Sequence, residues 1–123
     1  MKIKILKLDA ANKNGRIYAT ATIQSAIDRL ENKAVLGTLG MPSEASVQLS
    51  EVSHVVNNLS IEDGYLVGNA TVLKTQKGEE LKKLLAENKI VFRTAGIGKI
   101  DENGKVSEYN IISIGAIDKD TAA

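Results

Sequence analysis

Two strand-like stretches either side of an Asx-Gly turn constrain this fold more than any other feature. Ile90 to Ile100 and Val106 to Ile114 each read as a strand, and Asp101-Glu102-Asn103-Gly104 between them is a hairpin turn. The chain has 123 residues, enough for a single domain, 1–123, around one core. Alternation marks the start, where Lys2 to Leu8 interleaves Lys with Ile or Leu. Asn12-Lys13-Asn14-Gly15 is a turn signal, and the β-branched run from Arg16 to Thr22 reads as a second strand. Val52 to Val56 and Gly64 to Leu73 read as further strands, joined by a turn around Glu62-Asp63-Gly64.

Helical spacing is confined to two segments. Ile23, Ala26, Ile27 and Leu30 share one face, which predicts a helix over 23–31 with an upstream Thr as its cap. Leu81, Leu84 and Leu85 form the stripe of a helix over 78–87, and Thr75 is placed to cap it. Ala34 to Leu39 is a short apolar run ending in Gly40, followed by a loop at Met41-Pro42-Ser43-Glu44. The tail from Asp118 to Ala123 reads as loose. About six or seven strands and two helices, with no crossover pattern and no repeat, predict an α+β fold. Its sheet or barrel is mostly antiparallel, with the helices at the periphery.

Composition excludes several function classes. Sixteen basic and 15 acidic residues leave a formal charge of +1, which predicts neither a nucleic-acid nor a membrane surface. Aromatic residues are only 3%, too few for a stacking platform. There is no cysteine, so disulfides, thiolate metal sites and cysteine nucleophiles are excluded. This fits an intracellular assembly history. No apolar stretch approaches the length of a membrane span, and Met1 to Leu8 lacks the apolar core of a signal peptide.

Few residues suggest chemistry by themselves. His54 is the only histidine, and one histidine nominates neither a nucleophile nor an orienting group. No metal-ligand spacing is present, and no cofactor is expected. Gly96-Ile97-Gly98 is no phosphate loop, since the third glycine and a following helix are missing. It reads as a strand bulge or a close backbone approach. Glu62-Asp63 and the charges of the second helix read as solvated surface.

An ordered set of motifs goes further. Asn14-Gly15-Arg16-Ile17-Tyr18 looks like the opening N-G-R-I-Y of the phage prohead (head maturation) proteases. Leu36-Gly37-Thr38-Leu39-Gly40-Met41-Pro42 resembles that family's G-E-L-[GD]-H-P, and Val47 to Val56 is similar to its V-N-L-x-x-V-S-H-x-I. Asp63 to Gly68 and Leu73 to Gly78 resemble its D-x-x-x-G and L-x-T-P-x-G pair, and Leu81 to Leu85 fits its helix. Phe92 to Gly98 stands where the family has I-S-S-R-G-x-G, and Tyr109 to Ile117 looks like the closing segment with F-D-x-V. The likeness runs in order from about residue 14 to 117. It implies the fold shared with herpesvirus assemblins, a β-barrel-like sheet with surrounding helices.

The departures fall at the chemistry that the resemblance implies. The family's general base, the histidine of G-H-P, is replaced by Met41, a thioether that cannot shuttle a proton. The nucleophilic serine aligns with Arg93, a permanent cation. The arginine that could stabilise an oxyanion aligns with Ala95, and the acidic third member falls near Gly115. Triad members act as a unit, so such losses are expected to abolish activity. The residues left for an active alternative are Thr94, beside the nucleophile position, and His54, which matches the structural histidine of S-H-x-I.

The resemblance therefore implies a catalytically inactive, prohead-protease-like phage protein. Its expected role is structural or accessory in the head, binding capsid or scaffold proteins, with itself or an active protease paralogue as further partners. It is expected in the virion or prohead, and in the host cytoplasm during assembly. The alternative is a short active protease that cleaves scaffold and capsid proteins.

Overall fold

A computed structural model describes residues 1–42 and 47–122. Its strands are β1 (Lys2–Lys7), β2 (Ile17–Tyr18), β3 (Val35–Thr38), β4 (Val52–Glu62), β5 (Tyr65–Val72), β6 (Ile90–Ile100) and β7 (Lys105–Asp118). The helices are α1 (Thr20–Asp28), α2 (Gln76–Ala86) and the single turn α3 (Lys119–Ala122). The fold is α+β, as expected. The strands form two sheets, ordered β1-β5-β4-β3 and β2-β7-β6, and every pairing but the two-residue β2–β7 ladder is antiparallel.

The sheets do not close into a barrel. At one seam β3 approaches β7 through a single parallel bridge, Leu39 to Ala116, supported by Gly40 N–H donating to the Ala116 carbonyl at 2.7 Å. At the other, β1 packs along β6, and no ladder joins them among the described residues. The barrel-like closure implied by the resemblance is thus reduced to two sheets wrapped around one core. Ile5, Ile23, Ile27, Leu59, Leu66 and Ile114 fill it, each at most 1% exposed.

The ends of α1 depart from the sequence reading. The strand expected over 16–22 ends at Tyr18, and the helix starts at Thr20 instead of Ile23. No Thr caps it. The carboxylate of Asp9 accepts from the Thr20 N–H at 2.9 Å and from its hydroxyl, so the cap comes from a distant loop. These two bonds also hold the Asp9 pKa below its usual value. Ile23, Ala26 and Ile27 are buried as predicted, whereas Leu30 lies beyond the helix and is partly buried.

In α2 the prediction holds closely: Thr75 Oγ1 accepts from the Gly78 N–H at 3.0 Å and also donates to the Val52 carbonyl. β4 runs past Val56 to Glu62 through a register shift around Asn58, whose φ is +53°. That bulge breaks the alternation and hides the strand's second half from a periodicity reading. The returning strand β7 likewise continues beyond Ile114, and the expected loose tail begins as the turn α3. Ser43 and Glu44 of the expected loop, and Ala123, lie outside the described residues.

Candidate functional site

A cleft of about 530 Å³ opens where the end of β1, the turn at 12–16 and β6 meet, and Met41, Arg93 and Thr94 line it together. Its wall at Asn12–Arg16 is built by one side chain. Asn12 Oδ1 accepts from the backbone N–H of Asn14 (2.9 Å) and Arg16 (3.0 Å), and Gly15 turns at φ +75°. The Ile17 N–H then donates to the Gly104 carbonyl at 2.8 Å, which fixes this wall to the β6–β7 hairpin. Gly104 must be glycine here, since its φ is +85° and a Cβ would meet the Gly15 carbonyl oxygen at 2.0 Å.

The positions named by the resemblance converge. Gly115 on β7 is the ladder partner of Arg93 on β6. A Cβ on Gly115 would lie 2.9 Å from the Met41 sulfur and 2.9 Å from the Gly40 carbonyl oxygen. Met41, Arg93 and Gly115 thus form one cluster, although they are spread over much of the sequence. Ala95 lines an adjoining cavity of about 320 Å³, which shares Arg16, Tyr18, Met41 and Thr94 with the cleft.

Thr94 and His54 are not brought together by any hydrogen bond. The Thr94 hydroxyl accepts from Tyr109 at 3.1 Å. His54 is fully buried on β4 and uses both ring nitrogens in the core. Its Nε2 lies 2.8 Å from the Ile114 carbonyl, and its Nδ1 lies 2.8 Å from Ser53 Oγ. A carbonyl can only accept, so Nε2 carries the proton and Nδ1 accepts from the serine hydroxyl. The Phe92 ring meets the imidazole edge-on at a centroid distance of 5.3 Å. Burial pushes the His54 pKa below 6.5, partly offset by the Ile114 bond. The imidazole is a structural tie between β4 and β7.

The remaining chemistry of the cleft is cationic. Arg16 and Arg93 line it with Lys13, and no carboxylate or imidazole does so among the described residues. Arg93 and Thr94 are strand neighbours with side chains on opposite faces. Both reach the cleft because β6 is the terminal strand of its sheet and the cavity opens at its edge.

Gly96 and Gly98 serve packing, as the sequence suggested. The ladder shifts register on both sides of Gly96-Ile97. A Cβ on Gly96 would sit 2.4 Å from the Asn110 carbonyl oxygen and 2.5 Å from the Tyr109 ring. The Tyr109 ring therefore lies across the bare strand and meets Tyr18 edge-on at 5.3 Å. Burial is the main cause that pushes the Tyr109 pKa up to about 12. Tyr109 was legible only as part of the closing motif, and Arg16 only as a strand residue and as part of the opening motif. The two meet in the adjoining cavity, and that meeting depends on the 12–16 turn packing against the hairpin.

No family model matches the chain, and no curated protein matches it in sequence. Among solved structures it is similar to the capsid assembly protease gp21 of bacteriophage T4. The superposition has a TM-score of 0.83 at 18% identity, over 95% of this chain and 79% of the T4 protein. At that identity the likeness concerns the backbone: the chain has the fold of a phage capsid assembly protease.

Proposed function

We propose that the chain is a non-cleaving, protease-fold protein of phage head assembly, which holds a capsid or scaffold protein in the cleft beside β6. One observation carries this reading. The positions that the resemblance assigns to base, nucleophile and third member are Met41, Arg93 and Gly115, and they cluster at one cleft. None of the three side chains can take up a proton or attack a carbonyl at neutral pH. The only imidazole in the chain is buried and committed elsewhere.

The edge of β6, which no strand ladder occupies among the described residues, supports a binding role, because a terminal strand offers backbone donors and acceptors to an extended segment. The partner, and a place in the prohead or virion, are proposed by analogy with the T4 capsid assembly protease that shares this fold. The test is to incubate the purified chain with the capsid and scaffold proteins of its own phage. Co-sedimentation with proheads, with every substrate intact by mass spectrometry, is the expected result. Absence from both proheads and virions overturns the head-protein role.

A second reading draws on the Thr94 hydroxyl, which does open on the cleft. It describes a short active protease with Thr94 as nucleophile. Cleavage by the wild-type chain that disappears in Thr94→Ala establishes this reading and removes the first.

A further inference from the structure

Beside the cleft lies a third cavity, of about 420 Å³, bounded by β1, the 10–12 segment, Tyr65 and Arg93. Three cations line it, Lys4, Lys7 and Arg93, and no carboxylate does so among the described residues. Lys4 and Lys7 are three apart, so a regular strand would send them to opposite faces. The β1–β5 ladder shifts between Lys4 and Leu6, where Lys4 pairs with Val67 and Leu6 with Leu66. This extra residue reverses the phase, and both lysines reach the same cavity. The Lys4 ammonium stands 4.7 Å above the Tyr65 ring, which holds it in place without neutralising it. None of the three cations forms an ion pair among the described residues, whereas Lys2 on the same strand pairs with Glu62 at 2.7 Å. Arg93 spends one N–H on the Phe92 carbonyl and has others to offer.

Leu6, Asn12 and Arg93 line this cavity and the cleft alike, so the two are continuous. Arg93 sits at their junction. We propose that the Lys4–Lys7–Arg93 cavity is an exosite for a carboxylate-rich stretch of the protein whose extended segment lies in the cleft. Charge complementarity selects the occupant: three cations concentrate positive potential in a concave site lined by no carboxylate among the described residues, with Glu62 and Asp63 confined to a neighbouring cavity on the other side of Lys4. A protein segment fits better than a nucleic acid, because Tyr65 is the one aromatic ring lining this cavity among the described residues and Lys4 already lies over one of its faces. The inference rests on the reading of the cleft as a protein-binding groove, and the experiment separates the two.

Two fluorescein-labelled peptides of equal length, alternating Glu with Thr or Gln with Thr, are titrated into the full chain and followed by anisotropy. The acidic peptide is expected to bind about tenfold more tightly at low salt, with the advantage shrinking as salt is raised. Lys4→Gln with Lys7→Gln is expected to remove most of that advantage. Lys82→Gln with Lys83→Gln, the same charge change on α2, is expected to leave it. Equal binding of the two peptides, or an advantage that survives the β1 double variant, overturns the exosite and leaves the groove standing. Binding of neither peptide overturns both. Tighter binding of an oligothymidylate of matched charge replaces the protein partner with a nucleic acid and also overturns the proposal.

Discussion

The imidazole of His54 lies directly over Gly37: a Cβ on Gly37 would stand 2.0 Å from Nε2. The two residues are ladder partners on β4 and β3, and β3 lies between β4 and the Ile114 carbonyl that the ring must reach on β7. Gly37 is the gap through which a buried side chain ties two sheets together.

Gly37→Ala is therefore expected to displace the ring and break its bonds to both Ile114 and Ser53. Stranding buried polar groups and overpacking a core together cost about 3 kcal/mol. Urea unfolding with an unchanged m-value measures the loss. A variant within about 1 kcal/mol of wild type would contradict the role given to this glycine.

Stability should also fall on the acid side through His54. Its folded pKa lies below the 6.5 of the free group, because burial disfavours the imidazolium. The contribution is complete above pH 6.5 and is lost as pH falls from there toward the folded value, since the unfolded chain takes the proton first. The difference in unfolding free energy between wild type and His54→Gln, measured from pH 8 to 5, is expected to shrink with falling pH. A flat difference rules out the linkage.

At the alkaline end the corresponding group is Tyr109. Its phenol is held protonated up to about 12, against an ordinary 10.0. An absorbance titration of the phenolates, wild type minus Tyr109→Phe, should show the missing transition near the raised value. Its appearance at about 10 would mean that the ring is not buried against Tyr18 and the Gly96 backbone. The fold is expected to weaken above pH 10, where only the unfolded chain ionises this residue.

Thr75→Ala removes both the cap of α2 and the bond to the Val52 carbonyl. A loss of about 1–2 kcal/mol in unfolding free energy is expected. Thr75→Ser should restore most of it, and failure to do so would shift the weight from the hydroxyl to the methyl group.

Much of this molecule was legible in the order of its residues. Both strands of the β6–β7 hairpin, the Thr75 cap and the buried face Ile23-Ala26-Ile27 follow from spacing alone. What escaped depends on contacts distant in sequence. Asp9 caps α1 from another loop, so the true start at Thr20 carries no local signal. The bulge at Asn58 hides half of β4, and the one in β1 hides the shared side of Lys4 and Lys7. At the site, the resemblance singled out Met41, Arg93 and Gly115, and the fold brings them together. His54, which the resemblance matches to a structural histidine, is a core group with both ring nitrogens engaged. Burial decides that, and residue type does not reveal it.

The unequal seams have a mechanical consequence. At β3–β7 the sheets are clasped by Ser113 donating to the Leu36 carbonyl, by His54 and by the Leu39–Ala116 bridge. At β1–β6 no ladder joins the sheets among the described residues, and the cleft and the Lys4–Lys7–Arg93 cavity open on that line. The chain just past β1 is pinned to β2, by the Ala11–Ile17 bridge and by the Asp9 N–H donating to the Tyr18 carbonyl at 2.8 Å. A molecule clasped along one side and pinned only at one end of the other yields unevenly, like a book held shut by a single tab. Between β1 and β6 themselves no rung has to break for the two to part, so the seam can give along the strands while the spine and the pin keep their places.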